Sequence, residues 1–545
     1  MQAASEVRDA LPSPSGRDRL LPVLLFVVSF AYLASFHHYS SLEPDEGIVL
    51  RGAERILRGE VPYRDFFSFY TPGSFYFVAC VFSFLGDSLV VARLSLAVVG
   101  AACSVVTYVL ARRVCSRRIA VFAASLTTAS GFAYRFLVLH NWFSTLLACL
   151  AVYAAVRSLE SHRVWWAFFT GCFASLTLLF EQSKGAGLVL GLTLGFASLR
   201  IAGRKPVFLR SELANIMAGF LLPLIGVFAY FGAEHSLAIM FQDWFWPLLH
   251  YTQANHVPYG WQNWSDDARQ RIFYAGPFGI RVLKILAVSP GFLVPVLPLV
   301  GVGLQGYWAG QIRRQKIDLG FCSYYVLISA VLSGLLLSVV TVRADIIHFM
   351  YLTPLWYVLL AWVLGSRHLV SQILTKIRPY LVAYVSVAFG MMALAVLLAA
   401  TGARNQIQTR RGKITTGEKD TVIEYVQAHV APGQEMLVYP YLPLYNYLTA
   451  TRGPSPYDYF QPGMNTSDQA EQIITSLKSH QIRAVLFEPW FSDKFSNSWP
   501  ATPLSAIAND PVADYIVRNY HVCRLLNSAS DWRFEYMVQK GVTCP

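Results

Sequence analysis

The sequence Glu43-Pro44-Asp45-Glu46 places three carboxylates just after the first long apolar run of the chain. One explanation is helix capping, because acidic residues are favoured in the first turn of a helix such as 47–58. The other is a general base at the membrane boundary, where a lipid head group would enter. If a group is transferred from a lipid phosphate, the departing phosphate needs little protonation, since it is already a good leaving group. One carboxylate to deprotonate an acceptor hydroxyl, with cations to hold the phosphate, would then suffice.

Candidate cations lie at the ends of other apolar runs. Lys184 follows Phe180 by four residues, and Arg343, Asp345 and His348 form an R-x-D-x-x-H pattern. An ionisable group at the membrane edge is costly to bury, which favours a functional role in binding phosphate. The alternative is snorkelling, in which the charge only reaches into the head groups.

The composition predicts a membrane protein that crosses the bilayer many times. The chain is 55% hydrophobic and 14% charged, whereas soluble domains usually carry about 25% charged residues. A helix needs about 20 apolar residues to cross the hydrocarbon layer, and backbone groups in lipid must pair within their own segment. We therefore predict a polytopic α-helical fold with about eleven transmembrane helices, near 20–37, 89–111, 119–134, 137–156, 164–181, 186–201, 212–232, 281–306, 319–341, 348–365 and 379–401.

The formal charge of +12 does not indicate nucleic-acid binding, because basic and aromatic residues do not interleave along a stripe. The basic residues instead cluster between apolar runs, at Arg112–Arg118, Arg200–Arg210, Arg313–Lys316 and Arg367–Arg378. With the N-terminus in the cytoplasm, all four clusters fall on the cytoplasmic side, as the positive-inside rule requires. An odd number of helices then places the C-terminal region outside.

Two domains follow from this topology. Residues 1–403 form the transmembrane domain, with large outer loops at 38–73 and 233–280. The apolar segment 74–86 is predicted to be a re-entrant or interfacial helix. The stretch 47–58 has an apolar row opposite an arginine row, as expected for a helix lying in the interface.

Residues 404–545 are predicted to be a small extracytoplasmic α/β domain. Helix-like and strand-like patterns alternate there, at Lys419–His429, Glu435–Tyr439, Asp468–His480 and Arg483–Phe487. The region has no glycine-rich phosphate motif, so we expect scaffolding or acceptor recognition more than chemistry. A disulfide between Cys523 and Cys544 is compatible with an outside location.

The first outer loop resembles a known family in an ordered set of motifs. These are Asp45-Glu46-Gly47, the run Arg58–Phe67, Tyr70-Thr71-Pro72-Gly73, Phe84–Ser88 and Ala92-Arg93-Leu94. The set is similar to the GT-C glycosyltransferases, and most to the bacterial branch related to protein O-mannosyltransferases and the aminoarabinose transferase of lipid A.

This resemblance implies that Asp45 is the catalytic base and Glu46 its catalytic partner. It implies a polyprenyl-phosphate-linked sugar donor, and a glycan, lipid or protein acceptor, at a site outside a membrane, with the bacterial inner membrane as the expected location. The aminoarabinose transferase has an acidic residue and a lysine before the proline of its loop, where this chain has Phe69, Tyr70 and Thr71. Asp65 is the nearest substitute for the acidic residue, and Lys184, Arg343 and His348 are the candidates for the donor phosphate. We predict no metal cofactor.

Two other functions remain open from the sequence. A transporter or flippase for lipid-linked sugars would show paired repeats and charges near the middle of the membrane, and neither is evident. A ligase or polymerase that uses a diphosphate-linked glycan would differ from the leading prediction only in its donor.

Overall fold

The computed structural model describes residues 16–203, 210–260, 269–314, 319–365, 372–461, 463–491, 498–502, 504–530 and 532–545. The first part of the chain is helical, as its apolar runs predict. Its helices are α1 (Gly16–Ala34), α2 (Pro44–Leu57), α3 (Gly73–Leu85), α4 (Leu89–Ala111), α5 (Arg117–Thr127), α6 (His140–Ser161), α7 (Val164–Phe180), α8 (Gln182–Gly203) and α9 (Arg210–Ala233). A π-helical turn, Thr128–Phe132, follows α5.

The second outer loop and the remaining apolar segments are also mainly helical. The helices are α10 (Leu237–Trp246), α11 (Thr252–Asn255), α12 (Phe278–Leu293), α13 (Leu297–Arg313), α14 (Leu319–Val342), α15 (Ile346–Met350), α16 (Thr353–Gly365) and α17 (Gln372–Gly402). Two π-helical turns, Pro247–Tyr251 and Gln270–Tyr274, lie in the second outer loop, and a 3-10 turn, Val294–Val296, separates α12 from α13.

Six of the described helices are long and apolar enough to cross a membrane, namely α4, α6, α8, α9, α14 and α17. Large apolar side chains such as Leu222 on α9 and Leu398 on α17 are exposed, as expected for a surface that faces lipid. The chain is therefore an integral membrane protein. Shorter apolar helices lie in α1, α3, α7 and α16, and the total of eleven spans remains a prediction.

Two segments predicted as single helices are interrupted. The segment 281–306 is broken at Val294–Val296, and 348–365 is broken after Met350. Pro295 and Pro354 lie at these breaks; proline lacks an amide hydrogen and disfavours helix at the preceding residue. The second break leaves Tyr351 between α15 and α16. Helix α3, in the segment predicted to be re-entrant or interfacial, has 13 residues and rises only about 20 Å.

Glycines bring α8 and α14 into close contact. A Cβ atom on Gly334 would lie 2.1 Å from the carbonyl oxygen of Gly187, so a larger side chain would force the helices apart. Small residues at such crossings are typical of membrane helix pairs. This packing fixes the end of α8 that carries Lys184.

The C-terminal region combines helices with two sheets. Its elements are β1 (Asn405–Thr409), β2 (Gly412–Thr416), α18 (Thr421–His429), β3 (Leu437–Tyr439), α19 (Pro443–Leu448), α20 (Ser467–Ser479), β4 (Ala484–Phe487), α21 (Leu504–Ala508), α22 (Pro511–Asn519), β5 (Tyr520–Asn527) and β6 (Arg533–Gln539). β1 and β2 form an antiparallel hairpin, and the four-stranded sheet has the order β3-β4-β6-β5, with only β3 and β4 parallel. Cys523 on β5 is disulfide-bonded to Cys544.

The C-terminal region covers α2, which differs from the predicted interfacial position of residues 47–58. Arg51 and Arg55, expected on an exposed polar row, are buried and both pair with Asp458. The arginine row of α2 therefore faces a protein carboxylate. The sequence pattern does not distinguish an interfacial helix from a helix covered by protein. A polar helix face can be covered by water, by lipid head groups or by an oppositely charged protein surface.

Candidate functional site

Asp45 lies in the first turn of α2, where Pro44 occupies an early helical position that suits its fixed φ angle. One carboxylate oxygen, Oδ1, accepts a hydrogen bond of 2.7 Å from the hydroxyl of Tyr441. The other, Oδ2, lies 3.3 Å from Nη2 of Arg135. The Asp45 side chain remains 36% exposed, so a substrate can reach it.

Glu46, the predicted catalytic partner, is in a different environment. It is completely buried and forms a two-point ion pair with Arg93 of α4, with a distance of 3.0 Å between Nε and Oε1. Its Oε1 also accepts the backbone N–H of Val138 at 3.1 Å. Glu46 therefore connects α2 to α4 and to the segment before α6, which holds Asp45 in place.

Arg135 is a site residue that the sequence analysis missed. It lies between the π-helical turn and α6, and its Nη1 is 3.3 Å from Oε1 of Glu43. Burial disfavours its charge, but nearby groups, Glu43 foremost among them, raise the pKa of the guanidinium above its ordinary value. A signal was present, because Arg135 is the only lysine or arginine between Arg118 and Arg157.

Lys184 lies at the same end of the helical bundle but is fully engaged. Its Nζ is 2.9 Å from the carbonyl oxygen of Asn141, 2.9 Å from the hydroxyl of Ser144 and 2.8 Å from Oε2 of Glu181. An ammonium group has three donors, and each of them has an acceptor here. The ammonium also faces the ring of Tyr351 at 5.3 Å. Lys184 therefore has a structural role, in which it holds the start of α8 against the start of α6.

The residues of the R-x-D-x-x-H pattern form one cluster around Asp345. Its Oδ1 accepts the backbone N–H of His348 at 3.0 Å and lies 2.7 Å from the Nδ1 of that ring, and its Oδ2 is 2.6 Å from Nε of Arg343. Burial opposes the charge of Asp345, but His348 and Arg343 outweigh it and lower the pKa of the carboxyl. Arg343 also reaches Asn255 of the second outer loop and the backbone of Ser498. The cluster therefore joins three parts of the chain.

Asp65 lies outside this group of contacts. Its carboxylate accepts the backbone N–H of Val61 at 2.7 Å and pairs with Arg64 at 2.8 Å. Arg64 in turn pairs with Glu234, next to the end of α9. These contacts brace the first outer loop, and the structure does not bring Asp65 to Asp45.

Two aromatic side chains lie near Asp45. Tyr441 donates a hydrogen bond to it, and Tyr70 lies beside His140, with 4.2 Å between the ring centroids. Burial, followed by the charge of Asp45, raises the pKa values of Tyr70 and Tyr441 well above the ordinary value. These phenols are therefore neutral hydrogen-bond donors near the carboxylate.

Asp45, Glu46, Asp65 and His348 could hold a metal ion only if the fold brought them together, and each has a separate partner. Asp45 contacts Arg135, Glu46 pairs with Arg93, Asp65 with Arg64 and His348 with Asp345. Within the described ranges, one group of ligand atoms is close enough to hold an ion, and it consists of His521, Cys523 and Cys544. Those two cysteines are joined in the disulfide, so their sulfurs are not thiolate ligands.

Comparisons with known proteins concern one segment of the sequence and the fold. Residues 70–230 match the family described as dolichyl-phosphate-mannose-protein mannosyltransferase. The chain is similar to the structure of ArnT from Cupriavidus metallidurans bound to undecaprenyl phosphate, with a TM-score of 0.53 and 11% identity over 98% of this chain and 100% of that chain.

Two archaeal structures are also similar. An oligosaccharyltransferase from Archaeoglobus fulgidus in complex with Zn and sulfate has a TM-score of 0.53 and 11% identity, over 94% of this chain and 73% of that chain. AglB from the same organism, in complex with an inhibitory peptide and a dolichol-phosphate, has a TM-score of 0.51 and 9% identity, over 97% of this chain and 75% of that chain. No curated protein matched the sequence.

These matches confirm the predicted resemblance. The chain is similar to the GT-C glycosyltransferases in the sequence of residues 70–230 and in its fold. At 9–11% identity the structural likeness concerns the fold, and the reaction has to be argued from the site.

Proposed function

We propose that this protein transfers a sugar from a polyprenyl-phosphate-linked donor to an acceptor hydroxyl on the extracytoplasmic face of the membrane, with inversion. Asp45 is the general base. The observation that carries this proposal is the pairing of an accessible carboxylate with Arg135 at 3.3 Å, an arginine whose side chain is only 17% exposed. A base for the acceptor and a cation for the leaving phosphate are the two groups that such a transfer requires.

The weak geometry of the Asp45–Arg135 contact supports this assignment. A charge-assisted hydrogen bond is usually 2.7–2.9 Å long, whereas both contacts of Arg135 with carboxylates are 3.3 Å. An arriving phosphate offers Arg135 a stronger partner. Arg135 can then turn to the donor and leave Asp45 free for the acceptor.

The predicted donor residues take supporting parts in this proposal. Lys184 holds the start of α6 through Asn141 and Ser144. Arg343 fixes Asp345, and His348, with a side chain 30% exposed, is the member of that cluster best placed to meet a ligand. Asp65 stabilises the conformation of the first outer loop through its contacts with Val61 and Arg64.

The test is transfer of labelled sugar by membranes that contain the full-length protein. A panel of polyprenyl-phosphate-linked monosaccharides is supplied, and label is measured in the lipid, glycan and protein fractions. Asp45→Asn should reduce transfer by about 10²- to 10⁴-fold, the usual contribution of a general base.

Glu43→Gln is the matched comparison, because Glu43 contacts the same arginine at 3.3 Å and is 34% exposed. The rate of sugar transfer by Glu43→Gln should fall by less than about tenfold, since a weak exposed ion pair contributes at most about 1 kcal/mol. Wild-type transfer by Asp45→Asn would refute the proposed mechanism. Sugar uptake into proteoliposomes without a covalent product would instead favour a transporter.

A further inference from the structure

We infer that the C-terminal region supplies a positioning residue to the catalytic carboxylate, and that this residue is Tyr441. The inference rests on the proposed function of Asp45. It assigns to the C-terminal region a part in the chemistry, where the sequence suggested scaffolding or acceptor recognition.

The first observation is the contact itself. Tyr441 is 8% exposed, and its hydroxyl donates to Oδ1 of Asp45 at 2.7 Å. Its ring packs between Tyr459 and Trp499, with centroid distances of 6.2 and 5.8 Å. The phenol is therefore held by neighbours of its own region and is directed at a carboxylate of the membrane domain.

The second observation is the fixed spacing between the two elements. A Cβ atom on Gly47 would lie 2.3 Å from the backbone nitrogen of Leu444, so α19 lies directly against the turn that carries Asp45. Further along α2, Asp458 pairs with Arg51 and Arg55. Leu444 and Asp458 both follow Tyr441 in sequence, and these two contacts hold the region that carries the phenol against α2.

The chemical role follows from which oxygen is occupied. The Tyr441 hydroxyl engages Oδ1, and Oδ2 faces Arg135. When Arg135 binds the donor phosphate, Oδ2 becomes the oxygen that accepts the proton of the acceptor hydroxyl. The hydrogen bond from Tyr441 fixes the rotation of the carboxylate, so that Oδ2 is held towards the acceptor hydroxyl.

The experiment compares Tyr441→Phe with Tyr439→Phe in the full-length protein. Tyr439 is a matched control, because its hydroxyl donates to Asp510 at 2.7 Å and its side chain is also buried in the same region. The kcat and the KM for transfer of labelled sugar are measured, together with binding of undecaprenyl phosphate and thermal unfolding.

We expect Tyr441→Phe to lower kcat by about 10- to 100-fold, the value of one hydrogen bond to a charged group. The KM for the donor, lipid binding and thermal unfolding should stay close to wild type, because Tyr441 acts on the carboxylate and not on the lipid. Tyr439→Phe should retain the wild-type kcat. Gly47→Ala, which displaces α19, should lower kcat as Tyr441→Phe does.

Two results would overturn the inference and leave the proposed function intact. One is an inactive Asp45→Asn beside a Tyr441→Phe variant with the wild-type rate. The other is a slow Tyr441→Phe that also binds undecaprenyl phosphate more weakly or unfolds at a lower temperature, which would mean a merely structural role. If Asp45→Asn itself transfers sugar at the wild-type rate, the proposed function fails, and the inference fails with it.

Discussion

Glu46 and Arg93 form an ion pair from which solvent is excluded on both sides, since neither side chain has any exposed surface. The carboxylate also accepts the N–H of Val138, which satisfies a further lone pair. Asp45 and Glu46, which are adjacent in one turn of α2, thus lie in opposite environments. Glu46 points into the protein and is neutralised, and Asp45 points to the accessible side.

Removing one member of this pair should be costly. Arg93→Met leaves Glu46 as an unpaired buried charge, and we expect a loss of about 3–5 kcal/mol in the free energy of unfolding. The double variant Glu46→Met, Arg93→Met should recover most of that loss. Thermal unfolding in detergent measures both. Equal destabilisation by the single and double variants would show that the pairing is not the source of the effect.

Arg135 should govern the affinity for the donor phosphate. Arg135→Gln is expected to weaken binding of undecaprenyl phosphate by about 10- to 100-fold, because a charge-assisted hydrogen bond is lost. Arg113→Gln is the control, since Arg113 pairs with Glu160 in a cluster assigned to the cytoplasmic side. The measurement is equilibrium binding of a labelled lipid phosphate. Equal affinities for Arg135→Gln and Arg113→Gln would contradict the assignment.

Asp458 should hold the C-terminal region on α2. Asp458→Asn removes a negative charge that pairs with two buried arginines, and we expect a loss of about 2–4 kcal/mol in the free energy of unfolding. Hydrogen exchange should then speed up in α2 and α19 together. Asp514→Asn is the comparison, because its pair with Arg518 is mostly exposed and should contribute less than about 1 kcal/mol. Exchange that changes in only one of the two helices would argue against a joint docking.

The stability of the second outer loop should depend on pH through Asp243. Burial raises the pKa of this carboxyl to about 7, whereas an unfolded chain releases the same proton near 3.9. The folded form therefore keeps a proton that the unfolded form has lost, and stability falls as pH rises from about 4 to about 7.

Asp243→Asn removes this titration and keeps an acceptor for the N–H of Ser68, which lies 3.4 Å from the carboxylate. The variant should be more stable than wild type above pH 7, by up to about 4 kcal/mol. The difference should vanish near pH 4. Thermal unfolding at several pH values measures it, and a difference that does not vary with pH would exclude this cause.

The membrane helices and the acidic turn could be predicted because both are local in sequence. Apolar runs of sufficient length specify most of the helices, and the resemblance of the first outer loop singled out Asp45. The strand and helix patterns of the C-terminal region are also local, and α18, β3, α20 and β4 lie where they were predicted.

The remainder of the site depends on contacts between distant segments. Tyr441 and Asp45 are 396 residues apart, and no periodic pattern connects them. The burial of Glu46 depends on its contacts with Arg93 and Val138, which are 47 and 92 residues away in sequence. Tyr351 faces Lys184 because a predicted helix is interrupted before Pro354.

The order of these partners along the chain has a consequence for biosynthesis. Asp45 leaves the ribosome early, whereas Tyr441 and Asp458 follow only after the long helix α17 has been made. A nascent chain therefore carries its acidic turn without the phenol until translation is nearly complete. Activity should appear late during production of the protein, and a chain that terminates soon after α17 should insert into the membrane yet remain inactive.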